Sequence, residues 1–144
     1  MVRKTLFLVV LLPLLLQGQD LKSHQWKQRV LLLITTKKGA EQLEEQKALL
    51  TNDIAAIQER KIALYQVTPS TYCKGINNGQ PQPSKKLFER FSNLEIPFKL
   101  FLIGLDGKVK FSDQNVTAPT ELFKIIDKMP MRKQELVNEI DFDE

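Results

Sequence analysis

The sequence predicts an α/β domain in which helices flank a mixed four-stranded sheet, and three patterns indicate this class. The continuous apolar run 30–34 is typical of a central strand that is buried on both faces. From Ala40 to Ile57, most apolar residues recur at spacings of three and four, which is typical of one helix face. Asp106-Gly107 lies between two strand-like segments and favours a two-residue hairpin turn.

Length and composition limit the chain to one ordinary globular domain. It has 144 residues, of which 42% are hydrophobic and 26% are charged. The formal net charge of +4 falls by two, to +2, if Arg3 and Lys4 are removed with a leader. Proteins that bind nucleic acid usually carry a clustered basic face, so we expect no nucleic-acid partner.

The N-terminus has the pattern of an export signal. Arg3-Lys4 is followed by the apolar run 6–16 and then by polar residues, with the small Gly18 near a plausible cleavage point. An uncleaved membrane anchor is the alternative, but the run is about eleven residues long and a span needs roughly 20. We therefore expect a signal peptide over 1–18 and a secreted or periplasmic protein. Its contact with the membrane would end at cleavage.

The first half of the mature chain reads as strand, helix, strand. Helix 40–57 follows the apolar strand, and Asn52-Asp53 can divide it into two shorter helices. Ile62–Val67 reads as a second strand, which should pair parallel with the first through a right-handed crossover. We expect the single histidine, His24, to be a solvated residue just before the first strand.

The second half begins with a long segment, 68–83, that contains three prolines and two glycines and is predicted to be an irregular loop. Ser84 is expected to cap a short helix after it. The hairpin follows Pro97. The last helix should start near Pro119, with Thr117 as its cap.

Met129-Pro130-Met131 should interrupt this last helix, because proline lacks an amide donor and crowds the preceding turn. A second helical piece is expected to end at Ile140, leaving an acidic tail over 141–144. The predicted order is therefore β-α-β, long loop, α-β-β-α, within a domain spanning 19–140. This order, with a proline just before an antiparallel hairpin, is the minimal thioredoxin-like architecture.

Three segments sharpen this match: Trp26-Lys-Gln-Arg-Val-Leu-Leu-Leu, Phe101-Leu-Ile-Gly-Leu-Asp-Gly-Lys-Val-Lys and Leu122-Phe-Lys-Ile-Ile-Asp-Lys-Met-Pro-Met-Arg-Lys-Gln-Glu-Leu. They resemble a family of secreted peroxiredoxin-like domains of unknown function called P-DUDES. Such domains occur alone in bacteria and as modules in animal extracellular-matrix and sushi-repeat proteins. The resemblance implies a thioredoxin-like fold and an extracytoplasmic address, and it implies no established reaction.

The predicted topology brings three segments to one end of the sheet, which we call the rim. Its candidate binding residues are Thr35, Thr36, Lys37, Lys38, Cys73, Ile96 and Pro97. Redox-active relatives in the wider fold keep a Cys-x-x-Cys pair or a peroxidatic cysteine in the first of these segments, where the helix N-terminus lowers the thiol pKa. Here that place holds two threonines and two lysines. We expect a binding or interaction module with an unknown protein or peptide partner, and no catalytic residue.

Cys73 leaves an alternative open. It is the only cysteine, so it cannot close an internal disulfide, and neighbouring Lys74 could favour its thiolate. A single-thiol oxidoreductase or peroxidase-like enzyme is therefore the second hypothesis, against an incidental or buried thiol. No cofactor is implied, and one cysteine with one histidine does not make a structural zinc site.

Pro97 carries a further expectation. Relatives of this fold keep a cis proline just before the third strand, so we expect the bond between Ile96 and Pro97 to be cis. An exposed backbone edge at Ile96 could then pair with an extended peptide.

Overall fold

A computed structural model describes residues 21–142, so the predicted signal peptide and residues 143–144 lie outside its described part. It is a mixed α/β structure, an open six-stranded sheet flanked by helices, consistent with a thioredoxin-like fold. The strands are β1 (Arg29–Thr35), β2 (Ile62–Val67), β3 (Thr71–Lys74), β4 (Gln82–Pro83), β5 (Phe98–Ile103) and β6 (Val109–Asp113). The helices are α1 (Ala40–Thr51), α2 (Ile54–Glu59), α3 (Lys86–Phe91), α4 (Pro119–Asp127) and α5 (Pro130–Phe142).

Strand β1 lies in the middle of the sheet, whose order is β4-β3-β2-β1-β5-β6. All seven residues of β1 are buried, as the apolar run predicted. It pairs parallel with β2, where Leu31 lies opposite Leu64, and antiparallel with β5, where Leu32 lies opposite Phe101. The parallel first pair and the antiparallel third strand are therefore confirmed.

The sheet has two more strands than predicted, because the segment 68–83 is only partly irregular. Thr68 and Thr71 form a tight reversal in which the Thr68 amide donates to the Thr71 carbonyl at 2.8 Å and their hydroxyls lie 2.8 Å apart. The chain then runs back along β2 as β3, with Cys73 opposite Gln66. The prolines and glycines of this segment suggested a loop, whereas β3 forms by pairing with the edge of β2.

Each face of the sheet has its own apolar layer, because neighbouring residues of a strand point to opposite sides. Helices α1, α2 and α4 contribute to the larger layer, and α3 contributes to the smaller one. Leu31 and Leu33 of β1 face the larger layer, whereas Val30, Leu32 and Ile34 face the smaller one. No face of β1 is therefore left for solvent.

The hairpin between β5 and β6 is confirmed, but its turn lies one residue earlier than expected. The Gly107 amide donates to the Gly104 carbonyl at 3.0 Å, so Leu105 and Asp106 are the central residues. Gly107 follows with a φ of +78°, a left-handed conformation that suits glycine. The connection is thus a three-residue type, in which a turn is followed by a left-handed residue.

Both predicted helix interruptions are present. Helix α1 ends at Thr51 and α2 begins at Ile54, so Asn52-Asp53 does divide the first helical region. Pro130 separates α4 from α5 and opens α5, where its missing amide donor is least costly. Helix α5 continues to Phe142, two residues past the predicted boundary.

The two predicted caps are wrong. Thr117 is not the cap of α4, because its hydroxyl donates to the Asn115 carbonyl at 3.3 Å and makes no bond to the helix. The side chain of Gln46 binds the Thr117 amide at 2.8 Å and its carbonyl at 2.9 Å. Ala118 takes the cap position, and Pro119 opens the helix as predicted. Likewise, Lys85 rather than Ser84 precedes α3, and no side chain caps that helix.

His24 is buried rather than solvated, with 7% of its surface exposed. It ends a short 3-10 turn that starts at Leu21 and folds over the smaller layer. Its Nε2 atom lies 2.6 Å from the Tyr65 hydroxyl, and Nδ1 lies 2.9 Å from Oε1 of Gln28. These hydrogen bonds satisfy the imidazole inside the fold, which explains why the expectation failed.

Candidate functional site

The rim brings the end of β1 and the start of β5 together through one carbonyl group. The carbonyl of Pro97 accepts a hydrogen bond from the Thr36 amide at 2.9 Å. The hydroxyls of Thr35 and Thr36 donate to the same oxygen at 3.3 and 3.4 Å. Lys37 and Lys38 follow in an exposed single turn. Six of the seven predicted rim residues, all except Cys73, therefore lie along these two segments.

The expected cis proline is wrong, since the described residues contain no cis peptide bond and the bond before Pro97 is trans. In this conformation the Pro97 carbonyl satisfies the Thr36 amide, and it lies so close to Gly39 that a Cβ there would collide with it. Ile96 is half-buried, and its amide donates to the Asn93 carbonyl at 3.3 Å. The Ile96 amide and the Pro97 carbonyl thus already have partners within the chain.

Cys73 lies in a strand and not in a loop. It is half-buried, and Gly79 packs so closely on its Sγ atom that a Cβ at Gly79 would overlap the sulfur. Lys74 is adjacent in the same strand, so its side chain points to the other face of the sheet. The neighbouring cation that the sequence suggested therefore does not stand beside the thiol.

At the opposite end of β1 is a buried ionic cluster that the sequence did not reveal. Arg29 is 0% exposed and Arg132 is 1% exposed. Nη1 of Arg29 donates to the Arg60 carbonyl at 2.9 Å and to both carboxylate oxygens of Glu135 at 3.4 Å. Arg132 donates to Glu135 at 3.2 Å and to the Glu59 carboxylate at 2.7 Å.

Arg60 completes the cluster with a bidentate pair to Asp127, at 3.0 and 2.9 Å, while its guanidinium lies 4.5 Å from the centre of the Phe123 ring. The hydrogen bond from Arg60 lowers the pKa of Asp127 below its usual value. Burial alone would lower the pKa of Arg132, but hydrogen bonds to its carboxylate partners outweigh burial and raise that pKa. Both shifts favour the charged forms of Asp127 and Arg132, and the pair between Arg29 and Glu135 ties α5 to the first residue of β1.

Two sequence signals could have pointed to this cluster. Arg29 stands at the head of a strand whose next five residues are all apolar, so burial of that strand draws the guanidinium inside. Arg132 and Glu135 lie three residues apart, on one face of the helix that follows Met-Pro-Met. The first signal does not identify the partners of Arg29, and the second does not identify Glu59 as the other partner of Arg132, because these residues are distant along the chain.

A family model described as "Domain of unknown function (DUF4174)" matches residues 20–135. The chain belongs to this family. The match covers both the rim and the arginine cluster of this DUF4174 domain. A comparison with curated proteins finds no match.

Two further findings concern membrane-spanning helices and metal-binding groups in the DUF4174 domain over residues 21–142. None of its helices in that range is both long and apolar enough to cross a membrane. Within the same range, histidine, cysteine and acidic side chains nowhere gather in a group of three or more that could hold a metal ion.

Proposed function

We propose that this chain is an exported binding module of the peroxiredoxin/thioredoxin-like P-DUDES type, and that it has lost the redox chemistry of the wider fold. The sequence pattern of the first 18 residues supports export to the periplasm or the exterior. The resemblance of three sequence segments to P-DUDES domains supports an extracellular module.

One observation carries the non-catalytic part of the proposal. The start of the helical region after β1 is where redox relatives present a thiolate. Here that position holds Thr35 and Thr36, whose hydroxyls lie within hydrogen-bonding distance of the Pro97 carbonyl. A hydroxyl without an adjacent general base is a poor nucleophile. The segment 35–38 of the rim therefore has no group that could start disulfide exchange or peroxide reduction.

The rim still offers side chains to a partner. Lys37, Lys38 and Pro97 are exposed, whereas the Ile96 amide is already bonded within the chain. Contact with a protein or peptide would therefore use side chains and not backbone strand addition. An acidic partner surface would complement the two lysines.

Redox assays test whether this protein has lost the thiol-based redox chemistry of the wider fold. The purified protein and its Cys73→Ser variant are compared for insulin disulfide reduction and for peroxide consumption. We expect no turnover above buffer for either, because Cys73 is half-buried against Gly79. Turnover that disappears in Cys73→Ser would overturn the proposal in favour of a single-thiol enzyme.

Partner capture and intact mass test the remaining parts. Capture from the extracytoplasmic fraction should be unchanged by Cys73→Ser and lost when Lys37 and Lys38 are both changed to Glu. The pair Lys85 and Lys86, also adjacent and exposed, provides the matched charge-reversal control.

The exported protein should have the mass of a chain that begins near Gln19. A mass that retains residues 1–18 would refute cleavage.

A further inference from the structure

A small cavity lies beside the arginine cluster, at the end of β1 that is far from the rim. Its volume is about 240 Å³. The walls come from the start of β1, from the hairpin between β5 and β6, and from the start of α5. The lining residues are Arg29, Leu105, Asp106, Lys110, Met129, Pro130 and Met131. A seven-residue strand spans roughly 20 Å, so this cavity and the rim are separate places.

The guanidinium of Arg29 is only partly used by the cluster. Nη1 has its acceptors, but Nε and Nη2 have no hydrogen-bond partner among the described residues, although the side chain is 1% exposed. Buried polar groups are nearly always hydrogen-bonded. Nε–H and Nη2–H lie along the same edge of the planar group, and such a pair of parallel donors matches the two oxygens of a carboxylate. The unused donors are thus arranged as an anion-binding fork. Because both nitrogens are buried, a ligand reaches this fork by displacing side chains that line the cavity.

The first turn of α5 supplies further donors beside the cavity, which its residues Pro130 and Met131 line. This helix has 13 residues, and its first backbone hydrogen bond runs from the Lys133 amide to the Met129 carbonyl at 3.1 Å. The amides of Met131 and Arg132 precede that bond, in the turn where helix amides have no intrahelical acceptor. The positive end of the helix dipole also favours an anion here.

The surroundings limit the charge and size of that anion. Asp106 pairs with Lys110 at 2.7 Å, so these two side chains add no net charge to the cavity. Glu135 lies on the other side of Arg29, and a ligand with two negative charges would be repelled by it. Leu105, Met129 and Met131 add apolar walls. The cavity is smaller than the roughly 300–1,000 Å³ of ordinary ligand pockets, so it suits a ligand of few atoms.

We propose that this cavity binds a small monocarboxylate with a short apolar chain. The carboxylate accepts hydrogen bonds from Nε and Nη2 of Arg29 and from the Met131 amide, and the apolar chain lies against Leu105 and Met131. Such binding deepens the proposed function, on which it rests, by giving the module a ligand class at a site other than the rim.

Methionine methyl groups give a direct test, because Met129 and Met131 line the cavity and the only other methionine is Met1. The purified protein, labelled at the methionine methyls, is titrated with propionate at constant ionic strength, and with chloride and phosphate in separate arms. We expect saturable shifts of the Met129 and Met131 signals with propionate, and none with chloride. Phosphate should bind at least about 10-fold more weakly.

Two exposed positions on α5 provide matched variants. Met131 is 39% exposed and lines the cavity, whereas Leu136 is 36% exposed and does not line it. Met131→Glu places a carboxylate at the fork and should weaken propionate binding at least about 10-fold, read from Met129. Leu136→Glu should leave binding unchanged. If Met131→Glu does not fold, Arg29→Lys keeps the charge, removes the fork and should give the same loss.

Three results would overturn this proposal. They are the absence of saturable shifts with propionate, equal binding by the Met131→Glu and Leu136→Glu variants, and tighter binding of phosphate than of propionate. The rim is unaffected by all three results. Loss of partner capture in the Lys37 and Lys38 variant therefore remains a separate test of the proposed function.

Discussion

Glu135 is the carboxylate shared by the two most deeply buried arginines, so its neutralisation tests the ionic cluster most sharply. Glu135→Gln keeps the shape of the side chain and removes its charge. Arg29 then keeps the Arg60 carbonyl and an amide oxygen as acceptors but loses its carboxylate partner, and Arg132 loses one of its carboxylate partners. We expect a large loss of folding free energy, because two buried cations would share a neutral amide.

The magnitude follows from the distances. At an effective dielectric constant of about 20, a charge pair at 3.4 Å, the separation of Arg29 and Glu135, is worth about 5 kcal/mol, and the pair with Arg132 at 3.2 Å is similar. Several kcal/mol of this attraction offset the desolvation of Glu135 itself, which is only 15% exposed. The expected net destabilisation is about 3–5 kcal/mol, as for other broken buried pairs.

Equilibrium unfolding in urea measures this loss, provided that the dependence on urea concentration is unchanged. Glu139→Gln is the control, since Glu139 lies exposed on the same helix and should change stability by less than about 0.5 kcal/mol. A loss below about 1 kcal/mol for Glu135→Gln would show that Arg29 and Arg132 do not depend on this carboxylate, and the account of the cluster would be wrong.

Leu32→Ala should cost about 2–5 kcal/mol in the same assay, because Leu32 is 0% exposed at the centre of β1; a loss under about 1 kcal/mol would contradict that burial. Gly39→Ala should cost about 1–3 kcal/mol, because the new Cβ collides with the Pro97 carbonyl, and a neutral result would mean that the rim is loosely packed. The hydrogen bond from Arg60 lowers the pKa of Asp127 below its usual 3.8. The hydrogen bond therefore stabilises the fold fully when the pH is above 3.8, the usual pKa of the carboxyl. This stabilisation is lost as the pH falls through the lower pKa of Asp127 in the folded protein. Asp127→Asn should flatten this acid limb, and an unchanged unfolding profile between about pH 2 and pH 5 would refute the assignment.

The sequence predicted those parts of the fold that local patterns determine. The run 30–34 has no polar residue, so only a doubly buried strand suits it, and β1 is that strand. Met129-Pro130-Met131 interrupts a helix for steric reasons that hold in any context, and α4 and α5 are separate. The hairpin between β5 and β6 and the helical connection between β1 and β2 follow from comparably local sequence signals.

Features that depend on distant partners were missed. Strand β3 exists because β2 offers it an edge, and nothing within 71–74 distinguishes it from a loop. The partners of Arg29 lie 31 and 106 residues further along the chain, so its burial could not be seen from its neighbours. The isomer of Pro97 was judged from relatives of the fold, whereas here its carbonyl serves Thr36 in the trans form. The candidate site was therefore less predictable than the fold.

The hydrogen bond between Arg29 and Glu135 also bears on when the first strand can dock during synthesis of the chain. The two residues are 106 positions apart, so the first strand is synthesised long before its carboxylate partner. Until residue 135 has been made, docking β1 would bury a guanidinium without its counter-charge, and that state is unfavourable. Contacts between remote segments also slow folding, since their loop entropy is lost before they form. We therefore expect a chain that ends before α5 to stay incompletely folded, and a chain that includes the C-terminal helix to reach the native state.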